Sequence, residues 1–157
     1  MAENGDLIGG KQLVHPEISA ICAEDILYMF CRNDQCHVPL VYISKDFGES
    51  WSVAHSHDIP YISSKIYCGD LKDGRHYMVC NTDRINRSKM VVYFTDDETK
   101  NFKKELVLID DTTEGASCVC HYPAAYEFDN KLYIIATVGY ENSTRGANLF
   151  IVDLKDV

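Results

Sequence analysis

The stretch 44–51 constrains the fold of this 157-residue chain more than any other segment. It fits the pattern S-x-D-x-G-x-x-W, with Ser44, Asp46, Gly48 and Trp51 at the four fixed positions. Asp46 is expected to accept hydrogen bonds from N–H groups of its own turn, and Gly48 to adopt a backbone angle that a Cβ disfavours. Trp51 is expected to begin the next strand and to bury its ring against the sheet. The pattern therefore predicts a hairpin turn, with a structural and not a chemical role.

The rest of the chain favours strands. Short apolar runs rich in Val, Ile, Tyr and Phe alternate with clusters of Asp, Asn, Gly and Ser, and helix signals are scarce. Turns are predicted at 72–74 and 129–130. Strands are predicted near 18–22, 26–31, 38–44, 51–54, 65–71, 76–81, 89–95, 104–109, 124–128, 131–138 and 148–154. The predicted fold class is therefore all-β.

The sequence also repeats, with a period of about 50 residues. Residues 27–31 return as 76–80 and again as 132–136, and the 44–51 pattern returns at 95–102 with Thr99 in place of the glycine. About four strands in such a period are typical of a propeller blade, a four-stranded antiparallel sheet. We therefore expect three blades, at about 11–58, 59–110 and 111–157, preceded by a disordered or linker segment at 1–10.

Three blades do not close a propeller by themselves. Closed propellers typically have four to eight blades, and an open arrangement leaves unpaired sheet edges. The chain is therefore expected to be either part of a longer propeller or a homodimer in which two copies complete six blades.

Charge and composition exclude several partners. The net charge of -9 and the absence of a basic stretch argue against nucleic acid and against an anionic membrane. The 7 Cys lack zinc-site spacing, and the alternating pair His55 and His57 is more typical of packing than of metal binding, so no metal and no cofactor are expected. The N-terminus shows no signal peptide or membrane-spanning run, which predicts a cytoplasmic protein, or a secreted one if the N-terminus was trimmed.

Further motifs, in order, carry a family resemblance. They are H-P-E-I at 15–18 with L-Y-M-F-C-R at 27–32, D-G-R-H-Y-M-V-C-N at 73–81 with R-S-K-M at 87–90, H-Y-P-A-A at 121–125 with N-K-L-Y at 130–133, and Arg145 before the last strand. Together with 44–51, which has the form of an Asp-box, they span nearly the whole chain. The chain resembles the C-terminal half of a sialidase-like, BNR-repeat propeller of the glycoside hydrolase type.

The resemblance implies roles for five residues. Sialidases hold a sugar carboxylate with arginines, because the guanidinium fork matches a carboxylate at two points, and they use a Tyr nucleophile. By the resemblance, Tyr122 would be the nucleophile and Glu17 the base that takes its proton. Arg87 would bind the carboxylate, with Arg145 or Arg32 assisting.

The chain also departs from the family pattern. No segment matches the general acid Asp and the first Arg, which come from early blades, and Val38, Pro39 and Leu40 stand where another Arg is expected. Three functions therefore stay open. They are a sialidase-like glycosidase or its C-terminal half acting on a glycan, a non-catalytic propeller module that binds a glycan or a protein, and a remnant with a structural role.

Overall fold

A computed structural model describes residues 15, 17–34, 38–82, 87–96, 101–112, 118–140 and 145–157. These residues form eleven β-strands and contain no helix, which confirms the all-β prediction; none of them therefore forms a helix that could cross a membrane. The strands are β1 (Ile18–Ala23), β2 (Ile26–Cys31), β3 (Leu40–Ser44), β4 (His55–Ser56), β5 (Tyr67–Asp70), β6 (His76–Asn81), β7 (Lys89–Thr95), β8 (Phe102–Asp110), β9 (Cys118–Phe128), β10 (Lys131–Tyr140) and β11 (Gly146–Asp153).

The strands form three antiparallel sheets in chain order. The first sheet has the order β1-β2-β3-β4, the second β5-β6-β7-β8, and the third β11-β10-β9. Every strand pairs with its neighbour in sequence, so each sheet is a meander, as propeller blades are. Among the described residues the third sheet has three strands, where four were predicted. Residues 1–10, the predicted linker, lie outside the described part of the chain.

Tight turns join the central strands of the sheets where the sequence favours them. Asp129 and Asn130 connect β9 to β10 with φ angles of 50° and 55°, as a two-residue hairpin loop requires. Gly74 has a φ of 90° in the loop between β5 and β6, and its N–H donates to the carbonyl of Leu71 at 3.0 Å. Both turns confirm the predictions made at 72–74 and 129–130.

The second sheet lies between the other two. All six residues of β6 are buried, and successive side chains point to opposite faces: Met78 packs towards the first sheet and Val79 towards the third. Phe30 and Val41 meet Met78 from the first sheet, and Leu132 is part of the cluster that includes Val79. Because it is covered on both faces, the central sheet holds the three sheets in one stack.

The third sheet has one buried and one exposed face. Its inner face packs on the second sheet, whereas the opposite face, which we call the outer face, exposes large apolar side chains to solvent. The exposed fractions are 71% for Tyr126, 60% for Phe128, 48% for Ile135, 59% for Leu149 and 56% for Ile151. Residues paired across strands, such as Ile135 and Leu149, are neighbours on this face, so the apolar surface is continuous.

The Asp-box forms the turn between β3 and β4, the last two strands of the first sheet. The Ser44 hydroxyl donates to Asp46 Oδ1 at 2.8 Å and accepts from the Gly48 N–H at 2.8 Å. Asp46 in turn accepts from both the backbone N–H and the hydroxyl of Ser50. Gly48 has a φ of 92°, and the half-buried Trp51 ring packs with the cluster on the far face of the first sheet. The turn is thus held by side chains that replace backbone partners.

Two predicted strands were wrong in extent. Residues 51–54 are not a strand, because the Ser52 hydroxyl accepts the Ile43 N–H in place of a backbone carbonyl, and the ladder resumes only at His55. The predicted strand 124–128 begins earlier, at Cys118, since Pro123 is accommodated in a bulge. Other strand ends agree within about two residues. The altered Asp-box at 95–102 joins β7 to β8, and residues 97–100 lie outside the described part of the chain.

Asp46 is expected to stabilise the fold in a pH-dependent way. Hydrogen bonds from the Ser50 side chain and backbone, and then from Ser44, lower the pKa of Asp46 to about 2. The unfolded-state value is about 3.9, so the ionised carboxylate stabilises the folded state at neutral pH, and this contribution is lost as pH falls through the folded-state pKa. Asp46→Asn should therefore lower the urea midpoint at pH 7, and its difference from wild type should shrink between about pH 4 and pH 2.

The matched control for this measurement is Glu49→Gln, which removes an exposed acid from the same turn. Its urea midpoint should equal that of the wild type at each pH. Equal midpoints for Asp46→Asn and wild type at pH 7 would contradict the assigned role of Asp46.

Candidate functional site

The predicted site residues lie at one end of the sheets, which we call the site end. Glu17 immediately precedes β1, Arg32 follows β2, Arg87 lies just before β7, and Arg145 immediately precedes β11. In an antiparallel meander the beginning of one strand lies beside the end of the next, so these positions share an end within each sheet. The Asp-box turn, which follows β3, lies at the opposite end of the first sheet.

Arg32 joins two carboxylates at the site end. Its Nη1 atom lies 3.0 Å from Glu17 Oε2, and its Nε atom lies 2.8 Å from Asp34 Oδ1. Ser63 completes the cluster: its hydroxyl lies 3.1 Å from Arg32 Nε and donates to Asp34 Oδ1 at 2.7 Å. Burial lowers the pKa of Arg32, but the Glu17 hydrogen bond and the charges of Asp34 and Glu17 outweigh it and raise the pKa. The N–H donors of Arg32 are therefore used within the protein, by the carboxylates of Glu17 and Asp34 and the hydroxyl of Ser63.

Arg87 reaches this cluster from the second sheet. Its Nη2 atom donates to the Ser63 carbonyl at 2.9 Å, and its Nη1 atom lies 2.6 Å from His121 Nδ1. Burial and the charge of Arg32 lower the pKa of Arg87, with Glu17 and Tyr122 opposing them. An arginine stays protonated in proteins, so Arg87 is a cation. It forms no ion pair with any residue in the described part of the chain.

Tyr122 lies in a β-bulge of β9. The register shifts between Ile135 and Thr137, and Tyr122 and Pro123 occupy the irregular position. Tyr122 has a φ of 48°, its side chain is 60% exposed, and its ring stacks on His121 with centroids 6.1 Å apart. Bulges redirect side chains, and positive φ angles at residues other than glycine concentrate at functional sites. The backbone thus presents the Tyr122 ring to solvent beside Arg87.

Arg145 approaches the site from the third sheet. A Cβ on Gly139 would lie 2.6 Å from Arg145 Cγ, so the glycine gives the arginine side chain room to cross β10. Arg145 is exposed, and its charge helps to lower the pKa of His121, after burial and Arg87. Contacts or charges therefore connect all five predicted site residues in one network that spans the three sheets.

Sequence analysis missed three members of this network: Asp34, Ser63 and His121. Asp34 follows Arg32 by two residues, and His121 directly precedes Tyr122, so local spacing gave a signal for both. Ser63 lies in the irregular segment between β4 and β5 and belongs to no motif. Its role depends on contacts with residues distant in sequence, which no local pattern encodes.

A separate cleft lies between the first and second sheets, with a volume of about 280 Å³. None of the five predicted site residues lines it. Its wall includes Phe30, His57 and Phe102, whose rings meet edge to face, and burial lowers the pKa of His57. We attribute this cleft to packing between sheets. In the described ranges no group of three His, Cys, Asp or Glu side chains is arranged to hold a metal ion.

Removing the charge of Arg32 should destabilise the protein. Arg32→Met leaves the carboxylates of Glu17 and Asp34 without their cation, at side-chain exposures of 26% and 15%. We expect a loss of about 1–3 kcal/mol of unfolding free energy at pH 7. Burial raises the pKa of Asp34, but hydrogen bonds from Ser63 and His15 and the charge of Arg32 outweigh it, so the pKa is lowered.

Because the folded-state pKa of Asp34 is lowered, this stabilisation is present at neutral pH and is lost as pH falls through that pKa. The effect of Arg32→Met should therefore diminish in acid, which urea unfolding at pH 7 and about pH 3 measures. Lys45→Met, at an exposed position in the Asp-box turn, is the control and should match wild type. A full effect that persists in acid would contradict the ion-pair explanation.

Comparisons with known proteins place this geometry in a wider set of folds. The chain matches no curated protein. The NanB sialidase of Streptococcus pneumoniae is similar in structure with a TM-score of 0.69 and 14% identity, over 90% of this chain and 24% of that chain. An α-L-arabinofuranosidase of Fusarium graminearum, Arb93A, is similar with a TM-score of 0.62 and 12% identity, over 88% of this chain and 45% of that chain. A GH43_12 protein from a capybara gut metagenome is similar with a TM-score of 0.60 and 15% identity, over 94% of this chain and 30% of that chain.

At these identities the likeness shows the fold, and this chain spans between 24% and 45% of the length of those chains. The sequence comparison is more specific, since residues 3–134 match the family described as BNR repeat-like domain. Three stacked antiparallel sheets and an Asp-box turn agree with both findings. The chain therefore belongs to the BNR repeat-like domain family and folds as part of a sialidase-like β-propeller.

Proposed function

We propose that the site end binds an anionic glycan through the carboxylate of a sialic-acid-type sugar. One observation carries the proposal: Arg87 is a half-buried cation held by two neutral acceptors, the Ser63 carbonyl and His121. Arg87 has no ion-pair partner among the described residues, so its guanidinium is available to a carboxylate, and its planar fork suits two-point binding. The exposed ring of Tyr122 adds a surface on which a sugar can pack.

The electrostatics of the site end support an anion. Arg32 is neutralised by Glu17 and Asp34, and therefore organises the base of the site. Arg87 and Arg145 form no ion pair with a described residue, and the positive charge of each lowers the pKa of His121. Three described arginines against two described carboxylates give the site end a formal charge of 3 − 2 = +1, on a chain whose net charge is -9. A local reversal of charge of this kind steers and orients anionic ligands.

Hydrolysis is the finer proposal and concerns the propeller as a whole. In the sialidase-like pattern Tyr122 would attack the sugar and Glu17 would take its proton. The pKa of Arg87 responds to the charges of both Glu17 and Tyr122, which supports their proximity to one ligand. The general acid would have to come from blades outside this chain, because no segment here matches it. Blades of this chain, in one copy or two, are therefore proposed to bind, and catalysis to require a further blade that supplies the acid.

Calorimetry with N-acetylneuraminate and its methyl ester tests the binding proposal. The ester lacks the charged carboxylate, so we expect weaker binding of the ester than of the acid. Arg87→Met should weaken binding of the acid at least about tenfold, because it removes a charge-assisted pair of hydrogen bonds. Lys45→Met, which removes a cation from the Asp-box turn, should bind like wild type. Equal binding of acid and ester, or unchanged binding by Arg87→Met, would overturn the proposal.

A fluorogenic sialoside separates the two functional alternatives in the same preparation. Turnover by wild type that is lost in Tyr122→Phe would extend the function to catalysis. Binding without turnover would favour the non-catalytic module, in agreement with the missing general acid.

We also propose that a second copy of the chain covers the outer face of the third sheet. Each of the two contacts between sheets within the chain buries an apolar face of this kind, whereas the outer face exposes Leu149, Ile151 and their neighbours. Two copies related by a two-fold axis would place the third sheet of one against the first sheet of the other, giving six sheets around one axis. Since both copies carry a charge of -9, added salt should strengthen their association.

Light scattering of the purified chain measures this association. We expect dimers that the double substitution Leu149→Lys and Ile151→Lys converts to monomers, because the charges cannot be buried in an apolar contact. Val107→Lys, at a site that is 44% exposed in β8 of the second sheet, should leave the dimer intact. A wild-type monomer at all concentrations and salt levels would overturn the second copy as the occupant of this face.

A further inference from the structure

His121 has a fixed protonation state in the contact with Arg87. Arg87 Nη1 lies 2.6 Å from His121 Nδ1, and a guanidinium has donors but no acceptor. His121 Nδ1 must therefore be the unprotonated acceptor, and the neutral ring carries its proton on Nε2. A backbone hydrogen bond also joins the segments that carry Arg87 and His121, since the N–H of Cys120 donates to the Arg87 carbonyl at 2.8 Å.

An imidazole at this position costs stability. Its Nε2 atom is buried and meets no acceptor among the described residues, and a buried donor without a partner is unfavourable. Among the described residues, the charged groups that act on the ring are cations: Arg87 from the segment before β7 and Arg145 from the segment before β11, while Tyr122 stacks on it. Burial lowers the pKa of His121, and Arg87 and Arg145 lower it further. The ring therefore leaves its own Nε2 donor without a partner while its Nδ1 serves Arg87.

We propose that His121 is a positioning residue that orients Arg87 for the ligand carboxylate through its unprotonated Nδ1. The inference rests on the proposed function for its ligand, but the Arg87 contact stands by itself. Ser63 supplies the second fixed acceptor, so that the two bonds set the plane of the guanidinium before any ligand arrives. A pre-oriented fork loses less side-chain freedom on binding, which strengthens the complex. Protonation of His121 removes its acceptor and leaves two cations in contact.

Nitrogen-detected NMR of the histidine rings tests the positioning contact without any ligand. The chain has 6 His, so His121→Phe serves to assign the resonances. We expect an unprotonated Nδ1, a protonated Nε2 and a pKa below the ordinary value of about 6.5. Arg87→Met removes both the neighbouring charge and the bond to the neutral ring, so the pKa of His121 should rise. A proton on Nδ1, or a pKa indifferent to Arg87→Met, would overturn the contact.

Two substitutions at His121 separate positioning from a structural role. His121→Phe keeps a ring against Tyr122 but has no acceptor, and His121→Asn offers an uncharged acceptor near the place of Nδ1. His121→Phe should melt near the wild-type temperature, because it removes both the unpartnered Nε2 donor and the acceptor of Arg87, yet bind N-acetylneuraminate about tenfold more weakly. His121→Asn should bind within about threefold of wild type. Unchanged binding by His121→Phe, or binding by His121→Asn as weak as that by His121→Phe, would overturn the positioning role.

The failure of this inference and that of the proposed function are distinguishable. A wild-type chain that does not bind N-acetylneuraminate refutes the proposed function, and the positioning of Arg87 for a carboxylate falls with it. In that case the NMR result still decides whether neutral His121 holds Arg87. A chain that binds the sugar while His121→Phe binds equally well keeps the proposed function and refutes only the inference about His121.

Discussion

The burial of the second sheet on both faces is the constraint on which the site depends. Arg87 and Ser63 belong to segments that flank strands of this sheet, and they contact Arg32 from the first sheet and His121 from the third. Asn81, at the end of β6, is fully buried and donates to the Cys120 carbonyl at 3.2 Å. The apolar contacts that hold the sheets together therefore also bring one charged network together.

The Asp-box turn and the charged network lie at opposite ends of the first sheet, and they are held together by different kinds of interaction. The Asp-box holds its turn with short side chains that bond their own backbone, and these bonds need no neighbour from another sheet. The site end instead uses long side chains whose partners are distant in sequence, such as Arg87 with Ser63 and His121. Local interactions suffice for a turn, whereas a site assembled from several blades requires the packed stack first.

The fold was predictable because its signals are local. Asp129 and Asn130 tolerate positive φ angles, and apolar runs of strand length recur with the blade period. The misjudged strands have non-local causes: Ser52 replaces a backbone acceptor, and Pro123 is tolerated only where a bulge removes the need for its N–H. The site was predictable only in part, since the resemblance suggested Arg87 and Tyr122, while the role of Ser63 arises from contacts across sheets.

The two half-buried arginines, Arg32 and Arg87, show why residue type alone does not define a site. Arg32 and Arg87 lie in one network and both contact Ser63, yet Arg32 is balanced by Glu17 and Asp34 and Arg87 faces a neutral imidazole. Desolvating a cation without a counter-ion is unfavourable, and burial next to Arg32 increases the cost, which is why the pKa of Arg87 is lowered. Sequences that fold well depart from such rules mainly where function requires it. The lowered pKa of Arg87, the neutral His121 beside it and the positive φ of Tyr122 therefore support the proposal that the site end binds a ligand.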